Sequence, residues 1–387
     1  MNDDIKNSGP RRGLIKPLVD AMPMALGPKT ERNLRAEGYD GPTYRMNLNE
    51  CPYPPSPKVA EAVAAAAASV NRYPDAAYTD LIDLMSVDLD VPREHIFFAS
   101  GTDVLLQALG EMVVDEETSV IVPDPSFVRY SMAAKVRGGE VIPVPVAQDG
   151  RNDVDAMIAA VRDNTRLMYV ATPNNPTGQM LSAAEVERIC RQTPDHVLLA
   201  LDEAYFEFAR YVGGPDCLEI VRETRKDAPW ALLRTFSKAY GLAGARIGYV
   251  ISGSDEVSDA FNKVRTSFNL NAFSQAAALA AYKDRDYCNE LIAKMSAERD
   301  RLVVAVQDMG LETMPSVGNF FIINMPGPGP LMVDALWKRG IMIGAIRTPT
   351  PGFENCIRIT VGTPEDGDAL LAALRDELES GRVYPAG

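Results

Sequence analysis

The stretch RTFSKAYGLAGARIGY, residues 234–249, decides the fold and the chemistry expected of this chain. It follows the apolar run WALL, residues 230–233, which has the composition of a buried strand. Two hydroxyls and an amine come where that strand should end, and a guanidinium follows a segment of glycine and alanine: Thr235, Ser237, Lys238 and Arg246. A guanidinium beside hydroxyls suits a phosphate, because its planar fork of donors matches the phosphate oxygens.

The sequence neighbours of Lys238 are apolar, with Phe236 and Tyr240 among them. Such surroundings disfavour the charged amine, so we expect Lys238 to be a good nucleophile toward an aldehyde. A nucleophilic amine beside an anchored phosphate is what pyridoxal phosphate requires of a protein. The alternative is a surface lysine at a strand end with Arg246 in a structural ion pair. The joint spacing of the hydroxyls, the amine and the guanidinium favours the cofactor.

Short apolar strands alternate with helical patterns between residues 118 and 255, which predicts βαβ units and a mostly parallel sheet. The expected strands are 96–99, 119–122, 140–143, 167–171, 197–201, 231–234 and 247–251. Ligands of such sheets bind beyond the carboxyl ends of the strands. The motifs at Ser100, Asn175, Asp202 and Lys238 each follow a strand, so a single site is expected.

The segment SKAYGLAGARIGY, residues 237–249, resembles the cofactor-lysine segment of the class I and II aminotransferases of fold type I, and most of all that of their histidinol-phosphate aminotransferase branch. The resemblance covers almost the whole chain. It implies an α/β fold: a large domain whose mostly parallel sheet has helices on both faces, and a smaller α/β domain built from the N-terminal arm and the C-terminal region. We expect the arm at residues 1–50, the large cofactor-binding domain at 51–275 and the small domain at 276–387.

Composition excludes several kinds of partner. The 387 residues favour two domains or lobes, and a net charge of −14 argues against nucleic acid and anionic membranes. The five cysteines and two histidines lack metal-ligand spacing, so we expect free thiols in a reducing compartment and no metal site. Neither a signal peptide in MNDDIKNSGP nor an apolar run of membrane-spanning length is visible, which predicts a cytoplasmic protein.

The turn Ser100-Gly101-Thr102-Asp103 separates an expected strand from a helical pattern at 104–112. Backbone N–H groups at such a helix N-terminus can bind an anion. Many strand-to-helix turns share this pattern. The assignment of Gly101, Thr102 and Asp103 to the cofactor therefore depends on the other motifs.

The string PNNPTG, residues 173–178, follows a strand and contains Asn175. A tight turn is the structural alternative, since Asn, Pro and Gly are common in turns. The string is typical of this aminotransferase class. The resemblance implies that the Asn175 amide donates to the pyridoxal 3′-oxygen and to a substrate carboxylate.

Asp202 ends an apolar strand, where a carboxylate is costly unless it is paired. A protonated pyridine nitrogen is a suitable partner, and the pair keeps the ring able to accept electrons. Helix capping is the alternative. Tyr205 lies three positions on and can hydrogen-bond the ring oxygen. We interpret Glu203 as an ion-pair or helix-start charge.

Two aromatic residues and one arginine complete the predicted site. Phe127 stands where relatives usually carry Tyr and is expected to stack on the ring. Tyr73, in RYP, matches the family tyrosine that reaches the cofactor phosphate of the neighbouring subunit, which implies a homodimer. Arg358 alternates with apolar residues as in a strand, and such an arginine is costly unless it meets an anion. The resemblance implies that Arg358 grips the substrate carboxylate. A core Phe, a helix-end Tyr and a structural salt bridge are the alternatives.

The substrate motifs depart from the family pattern. Leu18 replaces a tyrosine of the arm and Gly344 replaces an arginine, both associated with substrate phosphate, although Arg347 could substitute. The best interpretation is amino transfer from L-histidinol phosphate to 2-oxoglutarate, with an aromatic or other amino acid as the alternative donor. A threonine-phosphate decarboxylase-like enzyme would instead release CO₂ without a keto acid. A cofactor-dependent regulator would need a DNA-binding segment, and the net charge of −14 argues against one. An NAD-dependent enzyme is not supported, because no GxGxxG follows the first strand.

Overall fold

The structure is a computed structural model that describes residues 15–22, 27 and 29–384. Its strands are β1 (Tyr44–Arg45), β2 (Ile96–Ala99), β3 (Ser119–Asp124), β4 (Glu140–Pro145), β5 (Thr165–Ala171), β6 (Leu198–Asp202), β7 (Trp230–Thr235), β8 (Gly248–Ser252), β9 (Glu312–Met314), β10 (Phe320–Asn324), β11 (Ile341–Met342), β12 (Gly344–Ala345) and β13 (Cys356–Thr360).

The helices are α1 (Pro17–Asp20), α2 (Glu31–Ala36), α3 (Pro57–Ala66), α4 (Thr79–Leu89), α5 (Thr102–Val113), α6 (Arg129–Lys135), α7 (Val154–Ala159), α8 (Ala183–Gln192), α9 (Phe206–Tyr211), α10 (Cys217–Thr224), α11 (Asp255–Val264), α12 (Ala272–Lys283), α13 (Arg285–Asp308), α14 (Gly329–Trp337) and α15 (Pro364–Glu379). Across the residues that the structure describes, no helix combines the length and the apolar character needed to cross a membrane.

Seven strands form the larger sheet in the order β2-β8-β7-β6-β5-β3-β4. Only β8 runs antiparallel to its two neighbours, so the prediction of a mostly parallel sheet is confirmed. The observed strands lie within about two residues of the predicted ones, which is the usual uncertainty of element ends. Because β2, β3, β5, β6 and β7 point the same way, their carboxyl ends meet at one edge.

Alternate residues of each strand pack on opposite faces of this sheet. In β6, Leu199 and Leu201 belong to one apolar cluster while Leu198 and Ala200 belong to the other. Residues of α4, α8, α10 and α12 join the first cluster, and residues of α5, α6 and α11 join the second. A strand buried on both faces reads as a continuous apolar run, which is why the sequence marked these strands clearly.

Side-chain caps mark the beginnings of helices α3 and α11. Pro57 follows the cap Ser56, whose side chain accepts a hydrogen bond from the backbone N–H of Lys58. Ser254 caps α11 in the same way, by accepting from Val257.

A second, antiparallel sheet has the order β12-β13-β10-β9. Residues of α13, α14 and α15 pack with it in a separate apolar cluster. Strand β1 pairs with β11, so residue 44 of the arm lies beside residue 341 of the C-terminal region.

The described part of the arm contains two short helices, α1 and α2. Helix α2 begins at a capping box in which Thr30 and Asn33 satisfy each other's backbone N–H groups. The sequence has no long apolar pattern there, and the signal for this helix was the cap alone. Three prolines of the arm, Pro10, Pro23 and Pro28, lie outside the described residues.

Candidate active site

A cavity of about 380 Å³ opens at the carboxyl edge of the larger sheet. Eleven of the predicted site residues line it: Thr102, Asp103, Phe127, Asn175, Asp202, Tyr205, Thr235, Ser237, Lys238, Arg246 and Arg358. They come from both sheets, because Arg358 lies on β13 while Asp202 and Thr235 end β6 and β7. The folding of the chain therefore brings together residues that are up to 256 positions apart.

Lys238 follows the end of β7 and is half-buried. Its Nζ donates to the backbone oxygen of Leu48 at 3.2 Å. The pKa of Lys238 is lowered to about 8, mainly by burial and next by the positive charge of Arg358, against the pull of Glu50. Lys238 is thus the amine that this cavity offers to an electrophile.

Thr235, Ser237 and Arg246 lie at one end of the cavity. The Thr235 hydroxyl donates to Ser237 Oγ at 3.0 Å, and it accepts from the Ser237 N–H at 3.1 Å. Arg246 has a left-handed backbone with φ of 53°, and its guanidinium is exposed. Gly101, with φ of 88°, precedes α5, and a Cβ there would collide with that guanidinium. The φ of 88° is a backbone conformation that L side chains rarely adopt, and this is what favours glycine at position 101.

Asp202 is 4% exposed and is hydrogen-bonded by neutral donors. The Tyr130 hydroxyl donates to Oδ2 at 2.7 Å, and the Ala204 N–H donates to Oδ1 at 2.9 Å. Burial raises the pKa of Asp202 to about 6, although both hydrogen bonds oppose that rise. The sequence did not single out Tyr130. Its position on α6, three residues after Phe127, was the available signal.

Two side-chain amides join the two sheets at the cavity. Arg358 donates from one guanidinium nitrogen to Asn175 Oδ1 and from the other to the Asn47 backbone oxygen, each at 2.6 Å. Because Oδ1 of Asn175 accepts from Arg358, its amide N–H groups are free to face the cavity. Asn49 Nδ2 donates to the Tyr205 hydroxyl at 2.8 Å. Asn49 lies in the segment that follows β1, and the sequence analysis did not predict a role for it.

Four ionisable groups of this cavity share one property. No ion pair joins Asp202, Lys238, Arg246 or Arg358 to another residue in the part of the chain that the structure describes. Their partners are neutral hydroxyls, amides and backbone groups. A cavity with one anion and three cations left without counter-charges is suited to a small ligand that carries the opposite charges.

Behind this cavity lies a buried ion network. Arg234 Nε donates to Glu203 at 2.8 Å, and a second nitrogen of Arg234 contacts Asp216 at 2.9 Å. The guanidinium also lies 3.3 Å from the centre of the Phe206 ring. Glu203 is therefore in an ion pair, one of the two roles expected for it.

The remaining predicted residues lie outside the cavity. Tyr73 is 81% exposed and stacks on Phe268 with ring centroids 4.5 Å apart. Gly344 pairs with Arg358 across β12 and β13, and Arg347 is exposed beyond it. Leu18 lies in α1 and is half-exposed. None of these four lines the cavity in the described part of the chain.

The α/β fold and this site define an enzyme class that handles amino groups through a lysine-bound aldehyde cofactor. The family described as aminotransferase class I and II matches residues 43–374, so the chain belongs to that family. The predictions of a transaminase, of fold type I and of pyridoxal phosphate as cofactor are confirmed.

Several relatives resemble this chain over most of its length. Histidinol-phosphate aminotransferase 2 of Carboxydothermus hydrogenoformans is 35% identical, over 94% of this chain and 97% of the relative. The aromatic amino acid aminotransferase of Rhodococcus erythropolis is 39% identical, over 85% and 88%.

Solved structures agree with the fold. Histidinol-phosphate aminotransferase of Sinorhizobium meliloti, in complex with pyridoxal-5′-phosphate, has a TM-score of 0.86 at 32% identity over 96% of this chain and 99% of that chain. L-threonine-O-3-phosphate decarboxylase of Porphyromonas gingivalis has a TM-score of 0.73 at 21% identity over 86% and 99%, which shows the fold alone.

Proposed function

We propose that this transaminase moves an amino group from L-histidinol phosphate to 2-oxoglutarate. The observation that carries the proposal is the set of four charges without protein counter-charges, Asp202, Lys238, Arg246 and Arg358. Pyridoxal phosphate and a substrate oxyanion would supply a partner for each. The pyridine nitrogen suits Asp202 and the aldehyde suits the Lys238 amine. The phosphate suits Arg246, and the substrate oxyanion suits Arg358. Small-molecule substrates of this kind fit a cavity of about 380 Å³.

The residues present fit the cofactor. Asp202 would hold the pyridine nitrogen, while Tyr205 and Asn175 would donate to the ring oxygen. The hydroxyls of Thr235 and Ser237 and the Arg246 guanidinium would hold the phosphate, with the N-terminus of α5 at Gly101, Thr102 and Asp103 beside them. Phe127 would pack on the ring. When bound, the cofactor supplies an electron-accepting ring that stabilises negative charge at the substrate carbon.

Lys238 has two tasks in this proposal. Its amine would hold the cofactor aldehyde, and as a free amine it would move a proton to and from the substrate carbon. A pKa near 8 suits both, because about a tenth of the amine is then neutral at pH 7, far more than for a lysine with its usual pKa. Arg358 binds the substrate oxyanion, which is the carboxylate of the oxo acid or the phosphate of the donor.

A second candidate donor is an aromatic amino acid. Gly344 and Leu18 replace residues that the family resemblance associates with substrate phosphate, and Arg347 does not line the described cavity. The 39% identity to an aromatic amino acid aminotransferase supports this alternative.

Initial rates with a panel of donors and 2-oxoglutarate test the proposal. L-histidinol phosphate should exceed L-histidinol in kcat/KM by roughly a hundredfold or more, since a charged hydrogen bond in a binding site contributes up to about 3 kcal/mol. Equal rates for these two donors, with faster turnover of L-phenylalanine, would favour the second candidate. Release of CO₂ without any keto acid would instead indicate the decarboxylase-like alternative.

We also propose a homodimer in which Tyr73 reaches the neighbouring site. The exposed Tyr73–Phe268 stack, together with exposed Val70, supports an interface there. A monomer in light scattering at micromolar concentration would contradict it. Five free cysteines support a reducing, cytoplasmic location.

The arm at 1–50, large domain at 51–275 and small domain at 276–387 remain a proposal. The two separate sheets support it. Limited proteolysis with mass mapping would test it.

A further inference from the structure

Three consecutive residues of the segment after β1 contact three different groups of the site. The Asn47 backbone oxygen accepts from Arg358, the Leu48 backbone oxygen accepts from Lys238, and the Asn49 side chain donates to Tyr205. The first two contacts use the backbone, so other side chains at those positions would preserve them. Only the contact of Asn49 depends on the identity of its side chain.

Asn49 joins Tyr205 to Thr360 in a fully buried chain of hydrogen bonds. These residues are 2%, 3% and 1% exposed. The Asn49 backbone N–H donates to Thr360 Oγ1 at 2.9 Å, and the Thr360 hydroxyl donates back to Asn49 Oδ1 at 3.0 Å. Asn49 Nδ2 then donates to the Tyr205 hydroxyl oxygen at 2.8 Å. Thr360 lies two residues after Arg358 on β13, so this chain is fixed to the strand that carries Arg358.

The direction of this chain follows from the number of hydrogens. Thr360 already accepts the backbone N–H of Asn49, so its own hydrogen needs an acceptor, which is the amide oxygen. The opposite amide orientation would aim two N–H donors at Thr360 and leave its hydroxyl hydrogen unpaired in a buried place, which is costly. The amide nitrogen must therefore face Tyr205.

Tyr205 is consequently an acceptor toward Asn49 and a donor toward the cavity. Its only side-chain hydrogen bond among the described residues is the one from Asn49, and Tyr205 lines the cavity. Burial raises the pKa of Tyr205 to about 12, so the hydroxyl keeps its proton near neutral pH.

We propose that Asn49 is a positioning residue that holds Tyr205 as a hydrogen-bond donor toward the cofactor ring oxygen, with Thr360 fixing the orientation of its amide. This inference rests on the role proposed above for Tyr205. A donated hydrogen bond stabilises negative charge on the ring oxygen, so it lowers the proton affinity of the bound cofactor. Losing it raises the pH at which the visible absorbance of the resting holoenzyme changes.

Two substitutions of Asn49 separate the effect of its amide donor from the effect of its side-chain shape. Its backbone has φ of 52°, a region that glycine and aspartate both tolerate. Asn49→Gly removes the amide. Asn49→Asp keeps the shape but replaces the donor with an acceptor, so Tyr205 would turn its proton away from the cavity.

The measurement is a pH titration of the visible absorbance of the holoenzyme without any amino donor. We expect both Asn49 variants and Tyr205→Phe to raise the midpoint by about one pH unit, since a unit corresponds to about 1.4 kcal/mol, the size of one such hydrogen bond. The double variant Asn49→Gly/Tyr205→Phe should shift no further than Tyr205→Phe, because both remove the same interaction. The matched control is Asn152→Asp, a buried asparagine whose amide donates to the Ala171 backbone oxygen. Its midpoint should stay at the wild-type value.

The outcomes distinguish the two proposals. If Tyr205→Phe shifts the midpoint and neither Asn49 variant does, or if the Asn49→Gly shift adds in full to that of Tyr205→Phe, the role of Asn49 is wrong and the proposed function stands. If Tyr205→Phe has no effect, the assignment of Tyr205 fails and this inference fails with it. Should Asn49→Gly not fold, Asn49→Asp with and without Tyr205→Phe answers the same question. The identity of the amino donor does not enter, because no donor is present.

Discussion

Asp202 and Glu203 are neighbours in the chain at the carboxyl end of β6. Both are buried, but the groups that contact them differ. Asp202 faces the cavity and is bonded by a tyrosine hydroxyl and a backbone N–H. Glu203 points to the opposite side and forms an ion pair with Arg234 that is 1–2% exposed. Burial raises the pKa of Asp202 to about 6, and in Glu203 the positive charge of Arg234 opposes the same rise.

The same contrast between a paired and an unpaired charge holds at the neighbouring strand β7. Arg234 lies behind the sheet edge with two acidic partners, whereas Lys238, four residues later, meets only a backbone oxygen. Charges behind the site neutralise one another and join β6 to β7. Charges that face the cavity remain uncompensated, and this keeps them available for a ligand at a cost in stability of the apoprotein.

The largest expected effect is that of Lys238→Ala on the cavity side. Turnover should fall by about 10⁴-fold or more, because the variant loses both the amine that holds the cofactor and the group that moves the proton. Borohydride reduction followed by peptide mapping should find no tag at position 238. Lys283→Ala, at an exposed lysine, is the matched control and should retain full activity. Normal turnover by Lys238→Ala would remove the basis of the proposed mechanism.

On the side behind the cavity, Arg234→Met should reduce the free energy of unfolding by about 3–5 kcal/mol, since it leaves Glu203 buried without its partner. Urea denaturation of the apoprotein measures this loss. Arg191→Met breaks an exposed pair with Glu187, and should change stability by less than about 1 kcal/mol. Equal losses in the two variants would contradict the contrast between buried and exposed pairs.

Asp202→Asn should have the opposite effect on the apoprotein and stabilise it by about 2–3 kcal/mol at pH 8. The folded pKa near 6 lies above the value of 3.8 for a free aspartate, so the native state binds more protons between these values. Wild-type stability therefore falls as pH rises from about 4 to 6, and the advantage of the variant should disappear below pH 4. Urea denaturation across this range measures the difference. A gain that does not depend on pH would show that ionisation of Asp202 is not the cause.

The smallest expected effect concerns the rate of cofactor capture. Only the neutral amine of Lys238 attacks an aldehyde, and its pKa near 8 predicts a rise of roughly tenfold in rate between pH 7 and pH 9. The absorbance gained after pyridoxal phosphate is mixed with apoprotein measures this rate. Arg358→Leu removes a nearby positive charge and should move the midpoint to higher pH. Arg347→Leu, outside the cavity, should leave the midpoint unchanged, and a shift there would point to a global rather than a local electrostatic cause.

The sequence predicted the larger sheet and most of the cavity lining. Strands such as β6 are apolar throughout because both faces are covered, so they are recognised without any partner in view. Asp202, Lys238 and Asn175 each lie at or after the end of such a strand. Ligands of parallel sheets bind beyond the carboxyl ends of the strands, so these residues were expected at one site. The prediction did not find Tyr130 or Asn49, because their contacts with Asp202 and Tyr205 span 72 and 156 residues.

By itself, the sequence determined the class of fold and the cofactor, and it predicted the amine that would hold the cofactor, because these depend on apolar periodicity and on residues within one short stretch. Only the tertiary structure decided which buried charges are paired and which are left for a ligand, and which way the Tyr205 hydroxyl points. Both depend on hydrogen bonds between distant parts of the chain, such as those from Thr360 to Asn49 and from Arg358 to Asn175. The direction of a hydrogen bond is fixed by the number of donors and acceptors that meet in space, and the order of residues along a chain does not contain that number.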